Sequence, residues 1–167
     1  GADSTFLGDV LERVALSCGK DREGLYRAIA GGFMLSADNA HAVHPDSPEK
    51  SDPTNRCYLN EGVVVKHSPR YASDALTAGV FQAICQKAGV PVQVYYNNSR
   101  IPGGGTLGNL SGSHVALPTV DIGLPQLSMH SPYETAGAKD LEYMVQAMEA
   151  FYKTVLTVTG QDAYEIS

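Results

Sequence analysis

Tryptophan is absent, charged residues make up only 18% of the chain, and no apolar run approaches the length of a membrane span. A bilayer-crossing helix needs about 20 consecutive apolar residues, so none is expected and no membrane partner is assigned. Basic runs are missing as well. The twelve Lys and Arg are scattered, and eighteen Asp and Glu bring the formal net charge to −6. With nothing to neutralise a phosphate backbone, nucleic acid is not an expected partner. Cysteine is scarce: Cys18, Cys57 and Cys85 are odd in number, widely spaced and form no C-x-x-C. They read as reduced thiols of a cytoplasmic protein rather than as a disulfide frame or zinc site. No signal-peptide pattern opens the sequence, which fits that location. G-x-S-x-G is lacking around Ser36 and Ser128, and Cys57 has no nearby His, so a serine or cysteine hydrolase is poorly supported.

What is present is a chain with 43% hydrophobic residues and seventeen glycines. That balance argues against disorder. At 167 residues it is long enough for one domain that buries roughly 70% of its unfolded surface. Phe6, Leu7, Val10, Leu11, Val14 and Cys18 repeat at helical spacing behind Ser4, a candidate N-cap. A shorter helix is expected from Asp21 to Ile29, then a strand over residues 33–36, then a loop from Ala42 to Glu61 carrying Pro45, Pro48 and Pro53. Val63 to His67 is a compact β-branched strand, and Ser73 is placed to cap a helix through Leu76, Val80, Phe81, Ile84 and Cys85. Val92 to Tyr96 and Val115 to Leu124 read as further strands, with Thr106 a candidate cap for a short helix between them. Asp140 is read as the cap of a last helix whose Leu141, Met144, Val145, Met148, Phe151, Tyr152 and Val155 form a broad apolar face. The alternation predicts an α/β fold with a mixed, largely parallel central sheet flanked by helices.

Four features carry candidate chemistry. Asp38 follows a strand and precedes His41 and His44; it reads either as a helix N-cap or, on a shared helical turn with His41, as a metal or acid–base group. His130 follows another strand, and reads as a satisfied polar residue or as a ligand that Glu134 orients. Gly103 to Gly108 is either a flexible loop or a turn whose backbone N–H groups meet an oxygen of a ligand. It is neither a Walker A sequence nor a dinucleotide fingerprint, so nucleotide binding is disfavoured. Lys66 ends an apolar strand, either solvated or aimed into a crevice to hold a carboxylate or polarise a carbonyl.

Taken together, Ser36-Ala37-Asp38, His41-Ala42-Val43-His44-Pro45, Gly62-Val63-Val64-Val65-Lys66, Arg70-Tyr71-Ala72-Ser73-Asp74, Gly103 to Gly108, Thr119-Val120-Asp121-Ile122-Gly123 and Ser128-Met129-His130-Ser131-Pro132-Tyr133-Glu134 resemble the aspartyl aminopeptidase family of dizinc metallopeptidases. The resemblance covers essentially the whole chain. It implies a phosphorylase/hydrolase-like zinc-peptidase fold and the removal of single N-terminal residues, often acidic, from peptides. Asp38 would bind one zinc and His130 the other, with cobalt or manganese as substitutes. His41, Lys66 and the backbone at Gly104 and Gly105 would line the substrate crevice, while His44 would be structural or close to substrate. A large tetrahedral homo-oligomer, a dodecamer, is implied, as is a cytoplasmic setting. Asp46 stands where Asn is common and Gly105 where Ser is common. The family's remaining zinc ligands and its catalytic glutamate have no match here. The expectation is therefore the C-terminal part of a catalytic domain, residues 1–167, inactive alone. A truncated assembly subunit and an α/β anion-binding module are the rival readings.

Overall fold

The computed structural model describes residues 1–167. Its centre is the strand pair that the apolar pattern marks most clearly. Strand β3 (Val63–His67) and strand β5 (Thr119–Gly123) are buried almost throughout. They run antiparallel, with Val65 opposite Ile122. Strand β1 (Met34–Ala37) lies parallel to β5 on one side, and β4 (Val92–Tyr96) lies parallel to β3 on the other. The sheet order is thus β1-β5-β3-β4, mixed, with two of its three pairings parallel. Each parallel step needs a crossover, and a helix such as α3 (Ala75–Lys87) between β3 and β4 supplies it.

Side chains alternate across a strand, and here the alternation divides structure from site. Val63, Val65, Val120 and Ile122 face α3 and the last long helix, α5 (Ala138–Lys153), closing a core with Phe81, Cys85, Met144 and Ala147. The other face carries Val64 with Ala40, Cys57 and Tyr95, and by the same alternation Lys66 and Asp121.

Several boundaries differ from the sequence expectation for local reasons. Asp74, not Ser73, caps α3: its carboxylate accepts the Thr77 N–H at 2.7 Å while Thr77 Oγ1 accepts the Asp74 N–H at 3.0 Å. Ser73 Oγ instead accepts the Asp121 N–H at 2.8 Å. Asp140 is not a cap but a buried residue in the first turn of α5, taking the N–H groups of Asn60 at 2.6 Å and Gly62 at 2.9 Å. The first helix, α1 (Phe6–Ser17), has Thr5 at its N-cap without a side-chain cap bond, its hydroxyl donating to Asp9 instead, while Ser4 Oγ donates to the Gly1 carbonyl and accepts the Phe6 N–H at 3.4 Å. Residues 115–118 do not join β5; they link it to α4 (Leu107–His114).

Two elements were not expected. The strands β2 (Ala40–His41), β6 (Pro125–Leu127) and β7 (Thr135–Ala136) form a small second sheet, in which β2 and β6 prolong the parallel course of β1 and β5. The end of the chain is a hairpin, β8 (Leu156–Gly160) with β9 (Ala163–Ile166), held by Phe33 against Tyr164 and Phe151. The broad apolar face of α5 is divided: Met144 and Ala147 are buried, whereas Leu141, Val145 and Tyr152 are exposed. On α1, Phe6, Val14 and Leu16 are exposed too. No helix is long and apolar enough to cross a membrane.

Candidate metal and substrate site

At the exit of β1 the chain stays extended instead of turning into a helix, so Asp38 and His41 do not share a helical face. What places Asp38 is its neighbour β5. A Cβ on Gly123 would sit 2.1 Å from the Asp38 carbonyl oxygen, so only glycine allows the two strands to pass this closely. Into that corner reaches Lys66, whose residue surface is only 2% exposed. Its Nζ donates to the Asp38 carbonyl at 2.7 Å and to the Asn39 carbonyl at 3.4 Å, and lies 3.8 Å from Asp38 Oδ2. The Tyr71 ring stands 5.4 Å from the same ammonium. Lys66 is therefore an anchored cation and not a solvated strand end. Burial lowers its pKa, while the charges of Asp38 and then Asp121 oppose that shift. The Asp38 carboxylate itself is 45% exposed and open to a further partner.

His41, on β2, has its pKa lowered first by burial and then by the charges of His130 and Lys66. Asp38 and Lys66 are in direct contact, whereas Lys66 and His130 act on His41 through charge alone, with no hydrogen bond or ion pair to it. His44 supplies a bridge, its Nδ1 accepting the Asp46 N–H at 3.2 Å and its Nε2 lying 3.5 Å from Ser128 Oγ. The segment carrying His130 is backbone-strained. Ser128 and His130 have φ of 55° and 66°, a left-handed conformation costly for residues with a Cβ. Glu134 helps hold it, but through the His130 backbone N–H at 2.6 Å and not by orienting the imidazole.

A cavity of about 560 Å³ has His41, His44, Tyr71, Gln126, Ser128 and Met129 in its wall, whereas Asp38, Lys66 and His130 are not among its lining residues. Gly103 and Gly104 also line it, with Arg70 Nη1 donating to the Gly103 carbonyl at 2.8 Å; Gly105 does not. A side chain on Gly104 or Gly105 would meet nothing within 4 Å, so close packing does not explain either glycine. A second cavity, of about 500 Å³, lies along α4; its single carboxylate, Asp74, is engaged as the cap of α3.

A carboxylate and an imidazole have the chemistry zinc takes. No three His, Cys, Asp or Glu side chains come together as a metal-binding group, however. Asp38 and His130 have donor chemistry that suits zinc, but the residues present do not complete a zinc site.

Asp121 and Tyr71 were missed as site residues. Asp121 is fully buried, accepts the Ala72 N–H at 2.6 Å through Oδ2, and acts on both Lys66 and Tyr71 through its charge. The signal was available: a carboxylate in the middle of the apolar strand Thr119-Val120-Asp121-Ile122 must have partners.

Comparison with known proteins decides the family. The model of the family described as "Aminopeptidase I zinc metalloprotease (M18)" matches residues 1–152. The chain belongs to this family. A protein of Clostridium acetobutylicum, "Probable M18 family aminopeptidase 2", is 47% identical over 154 residues, which is 91% of this chain and 36% of that protein. A cryo-EM structure of the Ape4 and Nbr1 complex matches with 35% identity and a TM-score of 0.87, over 91% of this chain and 29% of that one. The S. cerevisiae mApe1 dodecamer matches with 27% identity and a TM-score of 0.76, over 92% of this chain and 34% of that one. The chain thus spans little more than a third of the length of the M18 relative it matches.

Proposed function

We propose that this M18 chain forms the C-terminal part of the catalytic domain of a zinc aminopeptidase that removes single, preferably acidic, N-terminal residues from peptides in the cytoplasm. The observations that support the reading are the Lys66 contacts with Asp38 and with Tyr71, a wall residue of the cavity, and His44 Nε2 at 3.5 Å from Ser128 Oγ, which bring the segments of Asp38 and His130 to one region. Asp38 and His130 would each give one ligand to one of two zinc ions, with further ligands from protein outside these residues. Cobalt or manganese would serve as substitutes. Zinc, when bound, supplies Lewis acidity toward a peptide carbonyl. This chain's own residues do the rest of the positioning. Lys66 fixes the Asp38 backbone and so the point from which the carboxylate projects. His41, at the cavity wall, is held toward the neutral form and so keeps an acceptor nitrogen for a substrate N–H or water. The Gly104 backbone borders the space where a peptide would lie.

The exposed apolar residues of α1 and α5 support assembly into a homo-oligomer, which in the mApe1 structure is a dodecamer. They equally suit the second reading, a non-catalytic assembly subunit. One experiment separates the two. The 167-residue chain, its intact mass verified, is assayed on aspartyl- and alanyl-p-nitroanilide with and without zinc, beside the same residues within a full-length M18 protein. The isolated chain should be inert. The longer protein should hydrolyse substrate, and Asp38→Ala or His130→Ala should each lower kcat/KM by at least about 1,000-fold, as loss of a ligand demands. Full activity in either variant would refute the ligand assignment, and turnover by the isolated chain would refute its inertness.

A further inference from the structure

Asp121 is fully buried, makes no ion pair and has no part in the proposed chemistry. Burying a carboxylate is costly, so the groups its oxygens meet show what holds it there. The two oxygens face different segments. Oδ2 accepts the Ala72 N–H at 2.6 Å. Ser73 adds to this hold, its Oγ accepting the Asp121 N–H at 2.8 Å. Residues 70–73 are thereby stapled to β5, and they carry two groups that reach the larger cavity. The Tyr71 ring stands by the Lys66 ammonium and in the cavity wall. Arg70 Nη1 donates to the carbonyl of Gly103, another wall residue.

Oδ1 faces α4 instead. A Cβ on Gly108 would lie 2.8 Å from Asp121 Oδ1 and 2.9 Å from the hydroxyl of Ser36, the residue beside Asp121 in the register of β1 and β5. Neither of these two oxygens has a hydrogen-bond partner. Gly108 is the second residue of α4, so Oδ1 lies against the first turn of that helix, the end that favours negative charge. Only glycine lets the turn come this close. The helix follows directly on Gly103 to Gly105, with buried Thr106 as its N-cap. Gly104 and Gly105 have nothing packed where a Cβ would be, so the glycine segment is held from its flanks. On one flank the anchor is Arg70, and on the other the first turn of α4. Both lead back to Asp121.

We propose that Asp121 is a positioning residue, which sets from within the core where Tyr71 and the Gly103–Gly104 backbone stand in the cavity wall. It acts through the Ala72 N–H on one side and through Gly108 on the other. Its service to a substrate rests on the peptidase reading, but the positioning itself does not.

Amide hydrogen exchange and chemical shifts of the 167-residue chain test the positioning by NMR. In wild type the Ala72 amide should exchange slowly, although it lies outside every helix and strand. Exchange at the rate of an open loop overturns the proposal, whatever the variants do. In Asp121→Ala that amide should exchange at least about tenfold faster relative to Val65 and Val120, and the Gly103 and Gly104 signals should move. Asp121→Asn, which keeps an acceptor, should leave Ala72 protected. An equal acceleration of all slow amides would reveal a merely structural residue and overturn the proposal. Arg70→Ala, at an exposed position, should move the Gly103 and Gly104 signals with Ala72 still protected; unmoved signals overturn the link through Arg70. In a full-length M18 protein carrying these residues, D121A and R70A should each lower kcat/KM on alanyl-p-nitroanilide about tenfold, with D121N near wild type. Wild-type kcat/KM in D121A and R70A alike would refute the service to substrate, while the exchange data judge the positioning separately.

Discussion

Replacing Lys66 by methionine removes a buried ammonium while keeping most of its volume, and the structure says what is lost. The bond to the Asp38 carbonyl at 2.7 Å is charge-assisted and worth about 1.5–3 kcal/mol. Its loss also removes a positive charge that acts on Asp121, fully buried, although the two make no ion pair. Methionine recovers part of the lost bond by ending the desolvation of the lysine, so Lys66→Met should destabilise the chain by about 2 kcal/mol. The decisive variant is the double one. Asp121→Asn keeps an oxygen for the Ala72 N–H, now 2.6 Å from Asp121 Oδ2, but removes the charge. If the two charges act on each other, Lys66→Met combined with Asp121→Asn should be more stable than the sum of the single losses by about 1 kcal/mol or more. Urea unfolding followed by far-ultraviolet circular dichroism measures all four proteins. Additivity within about 0.5 kcal/mol would refute the coupling, and with it the view that Asp121 helps hold Lys66 in place.

Cysteine chemistry gives a second check. Cys18 is exposed, whereas burial pushes the Cys57 and Cys85 thiols up to about 12, so a thiol reagent at pH 8 should label one cysteine quickly and the other two only after denaturation. The same shifts set a sign. Above about pH 9 the folded chain retains protons that an unfolded chain releases, so the urea midpoint should fall as pH rises from about 9 toward 12, and a rise would contradict the burial. Asp140→Ala should cost about 2–4 kcal/mol in urea unfolding, because it strands the N–H groups of Asn60 and Gly62, while Asp140→Asn should cost less.

How far the molecule was legible depends on the range of the cause. Where the cause is local, the reading held: the apolar run Val63–Val65 forms the central strand, and the helices bounded by Gly19 and Gly89 end where those residues allow. Where the cause is a partner far along the chain, the reading slipped. Ser73 has the chemistry of a cap but is drawn to Asp121, and Asp74 takes its role. Asp140 likewise precedes an apolar repeat, yet residues 80 and 78 positions away claim its oxygens. The hairpin over residues 156–166 has mostly exposed strands and little alternation, so its pairing depends on Phe33 receiving Tyr164.

The site shows the same division. Asp38, His41, His44, Lys66 and His130 stand out as residue types near strand exits, and the structure joins Asp38 to Lys66 and His44 to Ser128. What the pattern does not show is why Lys66 is buried. That follows from β1 and β5 passing within the reach of Gly123, which bares the Asp38 and Asn39 carbonyls to one donor, and from Asp121 sharing the inner face. A lone buried lysine would be expelled or neutralised. One backbone corner and one buried acid make it tenable, and both are consequences of strand order, which no spacing along a single strand can announce.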